Sequence, residues 1–304
     1  MKLSSFDAMK MANDDNAIKI EGDILKKCQR IELSIADDVA RVCEKYNINY
    51  TLGGGSALGA VRHHGFIPWD DDMDLNIFRD DCEKLLKAIN DEYPGKYWIH
   101  TPENTANYGL LFVQLRLKGT VMRGREDMDT DECGVGLDLF PYGNTYNAKV
   151  LRMLHGCLCM GMKFALSCRK IWEHRELNMQ LVKGNRDAEK TIRVKSAIGA
   201  LLALFSVDAW THGTIRCCKM CKNKNSKYVA IPSGRKQFLG EIYPRDRIAD
   251  TELVPFEDKY LRLTKYADEY MKNLYGNYME VPPIGKRERH VVYELDLGQY
   301  DHVD

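Results

Sequence analysis

The sequence predicts an α+β fold, and three observations carry that expectation. Residues 18–46 place apolar side chains at three- and four-residue steps, the spacing of an amphipathic helix. DMDLNIF (72–78) alternates polar and apolar residues, the spacing of a strand. From about 148 to 225 the pattern is mostly helical and in places strongly basic, so a helical segment interrupts the mixed part of the chain. At 304 residues a substantial core can be buried.

Each element follows from local residues. Ile20, Ile24, Leu25, Cys28, Ile31, Ile35, Val39 and Val42 line the first helix, and Asn47 closes it. INYTL (48–52) reads as a short strand. The glycines after it lead into SALGAVRHH, a helix of about two turns, which Gly65 and Pro68 break. In DMDLNIF, Asp72, Asp74 and Asn76 face one side, while Met73, Leu75 and Ile77 face the core. DDCEKLLKAIN reads as a helix starting near Asp80. LLFVQLRL (110–117) and GVGLDLFPYG (134–143) read as strands, the second ended by Pro141 and Gly143. EIYPRDR and ELVPFEDKYLRL look extended, and ADEYMKNLYG is a helix with Gly276 as its stop. The expected division is a core over 1–147, a mainly helical segment over 148–230, and a mixed segment over 231–304 packing back on the core.

Lysine plus arginine equals aspartate plus glutamate at 44 each, which leaves no global field for nucleic acid. Charge-driven chemistry must be local. MKLSSFDAMKMANDD lacks the apolar run of a secretory signal, so a cytoplasmic protein is expected. LRMLHGCLCMGMKFALSC (151–168) and SAIGALLALFSVDAW (196–210) are apolar, but the first carries Arg152, His155 and Lys163 and the second is short. No transmembrane span is expected. Buried core helices are the default for both stretches; the alternative is peripheral contact with a membrane surface, at its inner face. The ten cysteines read as reduced thiols rather than a disulfide framework. Cys217, Cys218 and Cys221, with His212 upstream, match no standard zinc spacing.

The chemistry concentrates in GGGSALGAVRHHGFIPWDDDMDLNIF (53–78), where four aspartates crowd beside a glycine run. Like charges at that density call for an opposite charge, and a divalent ion is the natural candidate. Asp72 and Asp74, two apart on a strand, put both carboxylates on one face about 7 Å apart at the backbone, and a single Mg²⁺ can be held between them. Asp138, between Leu137 and Leu139, is the candidate third acid. Gly54, Gly55 and Ser56 at a helix start offer backbone N–H groups to phosphate, and Arg62 adds a forked cation. Together these specify metal-assisted transfer at phosphorus. The helix after the glycines is too short for a dinucleotide crossover, Leu75 occupies the glycine position of a calcium loop, and no P-loop is present.

LGGGSALGAVRHHGFIPWDDDMDLNI resembles the signature of the LicD family, which includes the fukutin-related proteins. GVGLDLFPYG resembles the family's second block, and YMKNLYGNYMEVPP with Arg287 and His290 its C-terminal block. Gly53 and His64 depart from the commoner polar residue and Lys or Gln. The resemblance implies a nucleotidyltransferase-like fold, a mixed β-sheet core flanked by helices and carrying a helical insertion. It implies transfer of phosphocholine from CDP-choline, or of a polyol phosphate from its CDP form, to a sugar hydroxyl with release of CMP. Asp72, Asp74 and Asp138 would then serve metal (Mg²⁺, or Mn²⁺) and catalysis. Gly54, Gly55, Ser56 and Arg62 would hold donor phosphate. The acceptor would be a cell-surface glycan precursor, free or lipid-linked. A quaternary ammonium seeks aromatic faces, and Trp69 and Tyr142 are the preferred two, with His63 as a further donor or acceptor contact. A polyol would instead draw on Asn76, Asn107 and Gln114.

Overall fold

The computed structural model describes residues 17–287 and 289–302; MKLSSFDAMKMANDD, expected not to be a secretory signal, lies outside them. The first helix, α1 (Gly22–Lys45), buries Leu25, Cys28, Ile31, Ile35, Val39 and Val42 along the stripe that the spacing predicts. Asn47 ends it in a left-handed turn at φ 51°. β1 (Tyr50–Leu52) follows, then α2 (Gly54–His63), β2 (Asp74–Phe78) and α3 (Arg79–Glu92). β3 (Tyr97–His100), β4 (Val113–Leu117), β5 (Val121–Gly124) and β6 (Gly136–Asn144) complete the first half.

The sheet runs β1-β2-β6-β4-β3. β2 and β6 are parallel while the other neighbours are antiparallel, so the sheet is mixed. Leu52, Leu75, Leu115 and Leu139 are fully buried at its centre. β7 (Tyr228–Ala230) joins the end of β6 at Gly143 and Asn144, and β8 (Ile242–Pro244) pairs with β7. The hairpin β9 (Thr251–Phe256) and β10 (Lys259–Thr264) packs beside β1, where the Thr264 N–H donates to Thr51 Oγ1 at 2.8 Å. A last helix (Ala267–Tyr275) ends at Gly276, and β11 (Val292–Asp296) returns to pair with β5.

Three expectations need correction. β2 starts at Asp74, so Asp72 precedes the strand, in the connection that follows a turn closed by the Asp70 N–H on the Ile67 carbonyl. Asn76, expected on a polar face, is buried because β2 is covered on both sides. β6 does not stop at Pro141 but continues to Asn144. The Asp138 N–H donates toward β2, to the Met73 carbonyl, so by alternation the missing N–H of Pro141 faces the other edge. There the β4 pairing has ended at Leu139 and the β7 pairing has not yet begun at Gly143.

The helical segment holds α4 (Lys149–Glu173), α5 (Arg175–Leu181), α6 (Arg186–Leu201) and α7 (Val207–Cys218). Its apolar stretches are not buried helices throughout. α4 buries one stripe but exposes Val150, Leu151, Leu154 and Leu158, and the turn after α6 exposes Leu204 and Phe205. α4 packs on α6 and α7, and among the described residues Val150, Leu154 and Leu158 stay exposed on its other face. No helix among the described residues is long and apolar enough to cross a membrane.

Candidate active site

The parallel pairing of β2 with β6 makes Asp74 and Asp138 register partners on adjacent strands. Gln114 of β4 stands opposite Asp138 and donates its Nε2 to Asp138 Oδ1 at 2.9 Å. Burial pushes the Asp138 carboxyl up to about 6, against the pull of Arg116 and the Gln114 hydrogen bond. Burial, then the charges of Asp72 and Asp138, raise Asp74 well above the ordinary carboxylate range. Its Oδ1 is buried without a hydrogen-bond partner.

A second constellation lies beside this pair. Asp71, Asp72 and His290 offer ligand atoms within 4.8 Å of one another, the one such His, Cys, Asp or Glu group of three or more among the described residues. The backbone N–H of His290 donates to Asp71 Oδ2 at 3.2 Å, and its Nδ1 lies 3.0 Å from Asp71 Oδ1. Its Nε2 is 3.8 Å from Asp72 Oδ2. Asp72 dominates in raising the His290 imidazole well above its usual range. Behind them Glu32 of α1 is buried with Oε2 unpartnered, its carboxyl raised by burial and then by Asp72, Asp71 and Asp70. Asp70 is raised as well, by burial first and then by Asp72 and Asp71. Asp71, Asp72 and His290 are a donor set suited to a divalent metal, and Glu32 and Asp74 nearby each carry an orphaned buried oxygen.

The glycines make room for the side chains that face them. A Cβ on Gly53 would lie 2.9 Å from the Asn76 side-chain atoms. One on Gly54, whose φ is +42°, would lie 2.4 Å from Asp74 Oδ2, and one on Gly55 would lie 2.5 Å from Asp70 Oδ2. The helix start therefore rests directly against the carboxylates. The Gly54 N–H donates to the buried Tyr270 hydroxyl at 3.1 Å, and Asn76 Nδ2 donates to the same oxygen at 3.2 Å. Ser56 Oγ is buried and accepts the Asp74 N–H at 2.8 Å, fixing the start of β2. Two members of the expected phosphate loop thus make structural bonds, while the start of α2 carries no side-chain cap.

The remaining expected residues fall into two places. Arg62 donates Nη1 to the Tyr278 carbonyl at 3.0 Å and Nε to His63 Nε2 at 2.9 Å. The Trp69 ring has the Arg287 guanidinium 3.9 Å from its centroid, Arg62 at 5.8 Å and His63 edge-on at 6.4 Å. The structure therefore joins Arg62, His63 and Trp69 to the C-terminal block. It does not bring Tyr142 to the acids. Tyr142 is buried at the other end of β6, as the register partner of Phe78. In the helical segment, His212 is exposed while Cys217 and Cys218 are buried, with Cys217 Sγ 3.3 Å from Cys159 Sγ.

Glu32 had no role in the sequence reading, and Tyr270 and His290 entered only as parts of the C-terminal block. Glu32 did leave a signal. It sits between Cys28 and Ile35 on the apolar stripe of α1, where a carboxylate needs a reason. Tyr270 left none, because a tyrosine on an amphipathic helix reads as core.

Comparison with known proteins agrees with this geometry. Residues 47–147 match the model of the LicD/FKTN/FKRP nucleotidyltransferase domain. The chain is 25% identical over 288 residues to the lipopolysaccharide cholinephosphotransferase LicD of Haemophilus influenzae, covering 89% of this chain and 97% of that protein. Over 64 residues it is 46% identical to the ribitol 5-phosphate transferase FKRP of Homo sapiens and of Mus musculus, which covers 20% of this chain and 13% of either relative. The acid pair on β2 and β6 and the glycine turn both fall inside this match to the LicD/FKTN/FKRP nucleotidyltransferase domain.

Proposed function

We propose that this chain is a divalent-metal-dependent transferase that moves phosphocholine from CDP-choline to a hydroxyl of a cell-surface glycan. The observation that carries the reading is the register pairing of Asp74 with Asp138 beside the Asp71–Asp72–His290 group. Asp72 and Asp74, with Asp71 and His290 at hand, would hold Mg²⁺ or Mn²⁺; the ion supplies charge neutralisation at the donor diphosphate. Gly55 and Ser56, at the start of α2 and against the same acids, would offer their backbone N–H groups to donor phosphate.

The acceptor oxygen attacks the phosphorus that bears choline, and the P–O bond to CMP breaks with its electron pair leaving on CMP. Asp138 takes the hydroxyl proton. Gln114 occupies one of its oxygens, leaving the other for this role, and a carboxyl raised to about 6 is a stronger base than an ordinary one.

A second reading, transfer of a polyol phosphate from its CDP form, draws on a specific contact. One face of Trp69 already carries Arg287, so the aromatic surface expected for a quaternary ammonium is partly taken. Calorimetric titration with CDP-choline, CDP-ribitol, CDP-glycerol and UDP-sugars in Mg²⁺, on wild type and Asp74→Ala, separates the readings. Selective CDP-choline binding that the variant loses supports the first. Tighter binding of a polyol donor transfers the same chemistry to the second, and binding of none overturns both. Identification of CMP as the released nucleotide distinguishes either from nucleotidyl transfer.

A further inference from the structure

Residues 148–230 hold sixteen lysines and arginines against five aspartates and glutamates, a net +11 in a chain whose total is zero. The same segment carries the exposed apolar surface. α4 turns His155, Gly156, Cys159 and Leu166 inward. Its opposite face presents Val150, Leu154, Leu158 and Phe164, with Cys157 and Gly161 between them, so no charge interrupts the stripe. Val150 is 71% exposed and Leu154 63%. This stripe runs about 20 Å along the helix.

α6 has a related outward line. Arg186, Lys190 and Arg193 are exposed on the helix face that ends in Leu201 and continues to Leu204, which is 89% exposed. α6 packs on α4, where Lys195 Nζ lies 5.4 Å from the centroid of the Phe164 ring. The leucine corner adjoins α4 as well, since Arg169 donates its Nε to the Phe205 carbonyl at 3.1 Å. An apolar stripe, an apolar corner and a fringe of cations thus belong to one packed unit. Exposed apolar surface of this extent marks an interaction site.

We propose that this unit docks on an anionic lipid bilayer, with the α4 stripe and the Leu204–Phe205 corner at the headgroup–acyl boundary and the α6 cations against the headgroups. Charge decides the occupant. A second copy would set one +11 segment against another, whereas anionic headgroups complement it. The inference is independent of which CDP donor the acids accept.

Flotation of the full chain with phosphatidylethanolamine–phosphatidylglycerol vesicles tests it, with pure phosphatidylcholine vesicles as the neutral comparison. The protein should float with the anionic vesicles and dissociate in high salt. Leu154→Glu with Leu158→Glu, and separately Lys190→Glu with Arg193→Glu, should each weaken partitioning at least about tenfold with unchanged melting. Retention of full binding by both variants overturns the proposal. So does equal binding to phosphatidylcholine, which would point to choline headgroups entering the acid site. A dimer of the wild type that Leu154→Glu disperses, without vesicle binding, assigns the face to a second copy instead.

Discussion

Gly54 and Asp138 concentrate what single residues do here. An alanine at position 54 has to meet Asp74 Oδ2 at 2.4 Å from a backbone at φ +42°, and both costs fall on the site. Gly54→Ala should lower stability by about 1–3 kcal/mol and weaken metal-dependent donor binding at least tenfold, read by thermal melts and calorimetry. Asp138→Asn keeps a partner for Gln114 but removes the base. Turnover should fall by about 10²–10⁴-fold while the calorimetric donor affinity changes only a few-fold. Loss of donor binding in that variant would make Asp138 a ligand-holding group instead. The site's acids were legible because aspartates crowded beside glycines need an explanation. The role of Ser56 as acceptor for the Asp74 N–H was not, since a serine at a helix start looks the same whether it faces phosphate or a neighbouring strand.

Helices with strong periodicity and clear stops were readable as elements, α1 and the helix ending at Gly276 above all. β3, β5, β7 and β11 left little trace. They are three to five residues long, too short for alternation to rise above chance, and β5 and β11 pair with each other from far apart in sequence. The apolar stretches of the helical segment misled for a different reason: hydrophobicity reports that a residue can be buried, not that the fold supplies a covering layer. Capping was local and can be tested locally. Ser206 accepts the Ala209 N–H at 3.1 Å at the start of α7. Ser206→Ala should cost about 1 kcal/mol in denaturant melts and leave donor binding untouched.

Across the whole molecule, buried charge sets a pH response. Glu241 is buried and accepts the Lys236 N–H at 2.7 Å, yet burial outweighs that bond and raises its carboxyl to about 7. A raised carboxyl holds its proton more tightly in the folded state. Its contribution to stability is therefore full below the ordinary value of 4.5 and is lost as pH rises through about 7. Glu241→Gln should match wild type in acid and exceed it at mildly alkaline pH, by at most about 3 kcal/mol, in melts followed across that range. A wild-type advantage in alkali would mean that the ionised group is better compensated than its burial implies. The distribution of the acids along the chain has a kinetic side too. His290 reaches Asp71 across 219 positions, whereas Asp70 through Asp74 are neighbours from the start. A refolding chain therefore gathers mutually repelling carboxylates early and receives their imidazole partner late, through one of its longest loop closures. The order of assembly makes the last block of sequence the step that relieves the charge of the first.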